Sequence, residues 1–139
     1  MIDNELKEND LAIAYIGYED KPDGKRRPVF IYNLDDDIQV LRITTKYHNK
    51  PQKYQNQLYE IREWDKCGLD HPSWIDVSSV HNLSKKDFSV KKVGTLTRED
   101  KKGLGQFIDN YTEKETQKLI DQQKNLAYLR YLKKHGLDR

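Results

Sequence analysis

The chain has 139 residues, of which 35% are hydrophobic and 35% are charged, so it suits one domain with a small core and a large polar surface. The formal net charge is only +2, so overall charge does not indicate nucleic-acid binding and leaves that role to local basic clusters. One cysteine excludes an intrachain disulfide, and the longest apolar run, residues 11–18, is far too short to cross a bilayer. With an acidic, polar N-terminus, these features predict a cytoplasmic protein without a membrane segment.

The first two-thirds of the chain predict short strands separated by polar turns. Apolar and β-branched residues cluster in six segments, residues 11–18, 28–33, 38–46, 58–63, 73–80 and 89–96. Residues 21–25 have the composition of a turn, residues 47–57 that of a long polar loop, and residues 83–88 that of one helical turn. Because no helix separates the strands, we expect a small antiparallel barrel or sandwich rather than a parallel α/β sheet.

The last third predicts helix. Thr97 with Asp100 three residues later is a capping pattern, and Thr112 with Glu115 is a second one, which predicts that the helix restarts there. Between them, Gly103 and Gly105 each weaken the helix by about 1 kcal/mol relative to alanine. The second helix carries a stripe of Leu119, Ile120, Gln123, Leu126, Ala127 and Arg130. We therefore predict a barrel domain over residues 1–97 and a helical segment over residues 98–139, packed on the barrel or across a dimer.

Two short motifs are candidates for holding an anion. Arg26 and Arg27 directly precede Pro28, and a guanidinium offers phosphate a planar fork of donors. "TTK", residues 44–46, ends the third strand and can present two hydroxyls and a cation to one oxyanion. Each motif also has an ordinary interpretation, as a solvated charge run or as β-branched strand residues. The four histidines and the cysteine lack metal-ligand spacing, so we expect neither a metal nor a cofactor.

The order of the segments resembles the MazF/PemK family of toxin ribonucleases, from about residue 9 to residue 108. "NDLAIAYIGY" is similar to the family's first strand, and "GKRRPVFIYN" to its Arg-Pro motif followed by an apolar strand. "LRITTK" resembles the strand that ends in Ile-Thr or Thr-Thr. "PSWIDVSSVHNLSKKDF" and "KKVGTLTRED" resemble the late strand and the segment that leads into the C-terminal helix.

This resemblance implies an α+β fold, a small SH3-like antiparallel barrel with C-terminal helices, usually assembled as a homodimer. It implies an endoribonuclease that cleaves single-stranded RNA at a short sequence without a metal ion and is held inactive by an antitoxin protein. Position by position, the catalytic arginine falls on Arg27 and the catalytic threonine on Thr44. Four neighbouring residues are then expected to contact RNA, namely Lys25, Arg26, Thr45 and Lys46.

The sequence departs from the family pattern at three places. Pro22 and Asp23 stand where some members have a glutamate, and the chain extends about one helix beyond the usual end. Ser78 and His81 stand where the family often has an acidic residue followed by Gln-x-Arg. His81 can replace that arginine as a cation, act as an acid or base, or be a surface histidine.

Two functions of other classes therefore stay open beside the nuclease. In the first, the barrel binds RNA or a protein without cleaving. In the second, a regulatory interaction protein works through its long C-terminal helix.

Overall fold

The computed structural model describes residues 6–18, 21–35, 38–78, 80–83 and 90–136, with the backbone alone for residues 15–18, 21–26 and 90. The strands in these ranges are β1 (Asp10–Tyr18), β2 (Lys21–Asn33), β3 (Ile38–Thr44), β4 (Leu58–Glu60), β5 (Trp74–Asp76), β6 (His81–Leu83) and β7 (Val90–Thr95). The helices are α1 (Gln52–Gln55), the 3-10 helix Trp64–Lys66 and α2 (Arg98–Lys134).

The seven described strands form one antiparallel sheet in the order β4-β5-β3-β2-β1-β7, and β6 also pairs with β3. The predicted fold class is confirmed: an antiparallel, barrel-like sheet followed by C-terminal helix. Each of the six predicted strand segments overlaps one of these strands, and β6 lies outside all six.

Both faces of the central strands β1, β2 and β3 are buried. On one face, Leu11 lies opposite Phe30 and Phe30 opposite Leu41, and all three are at most 2% exposed. The other face carries a cluster of Leu6, Ala12, Ala14, Val29, Ile31, Ile38 and Val40. Successive side chains of a strand point to opposite faces, so a strand buried on both faces has continuous apolar residues, as "PVFI" in β2 does.

Two local predictions are wrong, and a third falls almost wholly outside the described residues. The predicted turn at residues 21–25 belongs to β2, because Lys21 pairs with Tyr18 and Lys25 with Ile16 across β1. The predicted loop at residues 47–57 contains α1. The predicted helical turn at residues 83–88 begins on Leu83, which pairs with Ile38 as part of β6, and residues 84–88 lie outside the described residues.

The predicted helix restart at Thr112 is also wrong, because α2 is continuous from Arg98 to Lys134. The start of α2 is as predicted: the Thr97 carbonyl accepts from Lys101 N at 2.8 Å, and Thr97 Oγ1 accepts from Asp100 N at 3.4 Å. Inside a helix every backbone N–H already has a partner, so the threonine of a second capping pattern has no N–H to cap.

The Asp100 carboxylate has a role that the capping pattern did not predict. It is buried and accepts hydrogen bonds from Tyr59 Oη at 2.7 Å and from the backbone N–H groups of Arg62 and Glu63, each at 2.9 Å. Gly103, one turn later, faces the same tyrosine, and a Cβ there would collide with the Tyr59 hydroxyl. The first turns of α2 are thus fixed to the segment that follows β4.

The chain divides into two compact units, residues 1–105 and residues 106–139. In the second unit the apolar stripe is exposed to solvent. Four of its leucine and isoleucine side chains are 40–60% exposed, Leu119, Ile120, Leu126 and Leu129. None of the described helices combines the length and the apolar character that crossing a membrane requires. The packing of this helical segment on the barrel or across a dimer stays a prediction.

Candidate functional site

An open groove of about 570 Å³ in the first unit collects most of the predicted site residues. Its lining comprises Arg27, Pro28, Arg42, Ile43, Thr44, Thr45, Lys46, Lys50, Tyr54, Gln57, Leu58, Asp76, Ser78 and His81. Four of these residues are lysine or arginine and one is an aspartate. A chain with almost no net charge therefore presents a concentrated cationic groove, which suits a phosphate-bearing ligand.

Strand alternation explains why cationic side chains reach this groove. Arg27 is two residues from Val29 on β2, and Arg42 is two residues from Val40 on β3, so each guanidinium extends from the face that carries the apolar cluster. Thr44 is two residues further along the same face of β3. Because Val29 lies opposite Arg42 in the β2–β3 ladder, the two strands bring both arginines to one end of this face.

Two short strands share the other edge of β3 and complete the groove wall. β6 pairs with the first half of β3, where His81 lies opposite Val40, and β5 pairs with the end of β3, where Trp74 lies opposite Thr44. Arg42 lies between these two pairings. Ser78, which follows β5, and His81, the first residue of β6, therefore line the groove together with Arg42.

A polar network lies on the β5 side of the groove. Asp76 Oδ1 accepts from Ser78 Oγ at 2.6 Å and from Ser78 N at 2.9 Å. Gln57 Nε2 donates to Ser78 Oγ at 2.8 Å and to Asp76 Oδ1 at 3.2 Å. These bonds hold Asp76, the only acidic side chain among the described residues of the groove lining, beside neutral partners.

Thr44 has a hydroxyl that is positioned by the backbone. Its Oγ1 accepts a hydrogen bond from Lys46 N at 3.1 Å, which is the local bond that threonine makes at the end of a strand. A hydroxyl that accepts at its oxygen keeps its own hydrogen for donation to another group. Thr44 can therefore donate to an anionic oxygen in the groove.

His81 is half-buried in this groove, and its pKa lies below the ordinary value for histidine. Burial is the main cause, the Arg42 charge lowers the pKa further, and Asp76 acts in the opposite direction. The imidazole is therefore neutral near pH 7. Of the three roles left open by the sequence, a permanent cation is the one that this environment disfavours.

The groove brings together Arg27, Thr44, Thr45, Lys46 and His81 from the residues predicted by sequence. Lys25 and Arg26 belong to β2, where they pair with Ile16 and Tyr15 of β1. Their side chains lie outside the described part of the structure. The side chains of Pro22 and Asp23, which stand at the place of the family's glutamate, also lie outside the described part of the structure.

Sequence reasoning missed four groove residues with charged or polar side chains, Arg42, Lys50, Gln57 and Asp76. For Arg42 there was a signal, since its alternation with Leu41 and Ile43 placed it on the face of Val40. The others depend on pairings between distant segments. Among the described residues, no three His, Cys, Asp or Glu side chains group as metal ligands would.

The antiparallel, barrel-like sheet followed by a C-terminal helix defines an α+β fold, which the comparison with solved structures also shows. No protein-family profile matches the sequence, and no curated protein matches it. Among solved structures, Mycobacterium tuberculosis toxin MazF-mt6 is similar with a TM-score of 0.55 and 20% sequence identity. The match covers 75% of this chain and 96% of that protein. At this identity the likeness shows the fold.

Proposed function

We propose that the protein is a MazF/PemK-like endoribonuclease toxin that cleaves single-stranded RNA in the groove and is held inactive by an antitoxin. The observation that carries this proposal is that Arg27, Arg42, Thr44 and His81 line one open groove. Two guanidiniums, a hydroxyl donor and a neutral imidazole are the groups that cleavage by an internal hydroxyl requires.

In the proposed reaction the ribose 2′-hydroxyl attacks the adjacent phosphorus. A bond forms between phosphorus and O2′, the bond between phosphorus and O5′ breaks, and the products are a 2′,3′-cyclic phosphate and a 5′-hydroxyl. His81 accepts the proton from the 2′-hydroxyl, and the departing O5′ takes a proton from water. Arg27, Arg42 and the Thr44 hydroxyl stabilise the negative charge that develops on the phosphoryl oxygens.

The proposal is tested by incubating the purified protein with a mixed RNA pool, with and without EDTA, and sequencing the new ends. We expect cleavage at a short sequence in both conditions, because the proposed step uses only side chains of the groove and water. If the protein binds RNA from the pool but cleaves none of it, the groove serves the non-catalytic RNA-binding function instead.

The assigned role of His81 predicts a specific pH dependence. A protonated imidazole cannot accept the 2′-hydroxyl proton, so the cleavage rate should fall as pH decreases through a pKa below the ordinary histidine value of about 6.5. His81→Gln should be slower at neutral pH and should lose this acidic limb. His71→Gln is the matched control, since His71 is exposed and does not line the groove. If His81→Gln retains the acidic limb of the parent, His81 is not the base.

A homodimer is also proposed, with the open stripe of the second unit as one of its contact surfaces. Most of the stability of a protein helix comes from packing of its apolar face, and several exposed apolar side chains on one stripe supply a surface that a partner would cover. Truncation after Tyr111 should then lower the melting temperature or shift sedimentation of the dimer toward monomer. A truncated chain that melts and sediments like the parent, after correction for mass, would show that the stripe serves another protein.

A further inference from the structure

Tyr54 is an exposed aromatic side chain in a groove that also carries four lysine and arginine side chains. It lies in α1, is 50% exposed, and lines the same groove as Arg27 and His81. Exposed aromatic rings beside cationic side chains are the elements with which proteins bind unpaired nucleic-acid bases, since every base has a π-face that can stack.

The backbone that carries this ring is fixed although the ring is exposed. Gln55 Nε2 donates to the Tyr47 carbonyl at 3.1 Å, and the Tyr47 ring stacks on buried Trp74 with a centroid distance of 4.8 Å and an interplanar angle of 6°. On the other side, Gln57 N donates to the Tyr54 carbonyl at 3.1 Å. The Gln57 side chain belongs to the polar network with Asp76 on the β5 side of the groove. α1 is therefore connected both to the core, through Tyr47, and to the groove, through Gln57.

Lys50 adds a cation to this platform. Its Nζ lies 5.5 Å from the centroid of the Tyr54 ring, within the range of a cation–π contact, and Lys50 also lines the groove. A lysine beside a stacking ring places a positive charge where the sugar–phosphate backbone of a stacked nucleotide would run. The groove volume of about 570 Å³ is within the range of small-ligand sites, so there is room for a nucleotide beside the arginines.

We propose that Tyr54 stacks an unpaired RNA base adjacent to the phosphate held by Arg27 and Arg42, with Lys50 contacting the neighbouring backbone. The inference deepens the proposed function and rests on it for the identity of the ligand as single-stranded RNA. It gives α1, a segment that the sequence predicted as part of a polar loop, the role of a base-binding element.

The test measures binding to labelled 2′-O-methyl oligonucleotides of A, C, G or U, which lack the attacking hydroxyl and are not cleaved. Tyr54→Ala should weaken binding of the preferred oligonucleotide by about 5- to 150-fold, the usual loss for one base–aromatic stack. Tyr54→Phe should retain the affinity of the parent, because the ring is kept. Tyr32→Ala is the matched control, a tyrosine 43% exposed that does not line the groove.

The outcomes separate this inference from the proposed nuclease activity, because the probes bind whether or not the protein cleaves. If Tyr54→Ala binds every oligonucleotide as the parent does, Tyr54 is not a base platform, even where the parent cleaves RNA. If Tyr54→Phe is as weak as Tyr54→Ala, the hydroxyl rather than the ring makes the contact, and stacking is wrong. A parent that binds none of the four probes also overturns the inference.

Discussion

Replacing Arg27 with alanine should reduce the rate of RNA cleavage by about 100- to 1,000-fold, the scale on which one preorganised donor stabilises a developing oxyanion. Arg27 is half-buried in the groove, where a fixed guanidinium interacts with phosphoryl charge more strongly than it would in water. The loss should appear mainly in kcat, because the charge on the phosphoryl oxygens grows in the transition state.

Two further variants make this prediction specific. Arg27→Lys keeps the charge but loses the planar fork, so its rate should lie between those of Arg27→Ala and the parent. Arg98→Ala removes an exposed arginine from the first turn of α2, outside the groove lining, and should cleave like the parent. An Arg27→Ala protein that cleaves as fast as Arg98→Ala would remove Arg27 from the catalytic role.

Replacing Asp100 with asparagine should lower the free energy of unfolding by about 3 kcal/mol. The carboxylate accepts from Tyr59 Oη and from two backbone N–H groups in a buried position. An asparagine of the same shape has one acceptor oxygen instead of two and directs its amide donors toward these donors. Burial is the main reason that the pKa of Tyr59 is raised, and the hydrogen bond to Asp100 raises it further. The phenol therefore stays protonated and donates its hydrogen to Asp100.

Urea denaturation of the full chain measures this loss. Asp109→Asn, an exposed substitution on the same helix, is the matched control and should leave the midpoint unchanged. Tyr59→Phe removes one donor but leaves the two backbone donors in place, so its loss should be smaller than that of Asp100→Asn. If Asp100→Asn and Asp109→Asn unfold at the same urea concentration, the buried network does not stabilise the fold.

The parts of the structure that the sequence predicted are those fixed by local periodicity. Alternation along "IQVLRIT" placed Val40 and Arg42 on one face because the side-chain period of a strand is two. The Thr97–Asp100 pattern located the start of α2 because capping is decided within one turn. The order of segments was enough for the barrel-like fold.

The parts that the sequence did not predict depend on pairing between distant segments. Asp76 and Gln57 come together only because β4 and β5 pair in one register, and His81 reaches Arg42 only because β5 and β6 share the edge of β3. The Asp100 contacts link residues 37 to 41 positions apart, which a three-residue capping pattern cannot indicate. A capping pattern stabilises a helix only where that helix begins. The prediction from Thr97 was therefore correct, and the prediction of a restart at Thr112, inside a continuous helix, was wrong.

The measurement that tests the proposed function most directly is the chemistry of the RNA ends. A defined oligonucleotide that contains the mapped sequence is cleaved in EDTA, and both fragments are weighed by mass spectrometry. Attack by the 2′-hydroxyl predicts a 2′,3′-cyclic phosphate, or its hydrolysed form, on one fragment and a 5′-hydroxyl on the other. A 5′-phosphate, or fragments that form only when EDTA is left out, would contradict the mechanism assigned to Arg27, Arg42, Thr44 and His81.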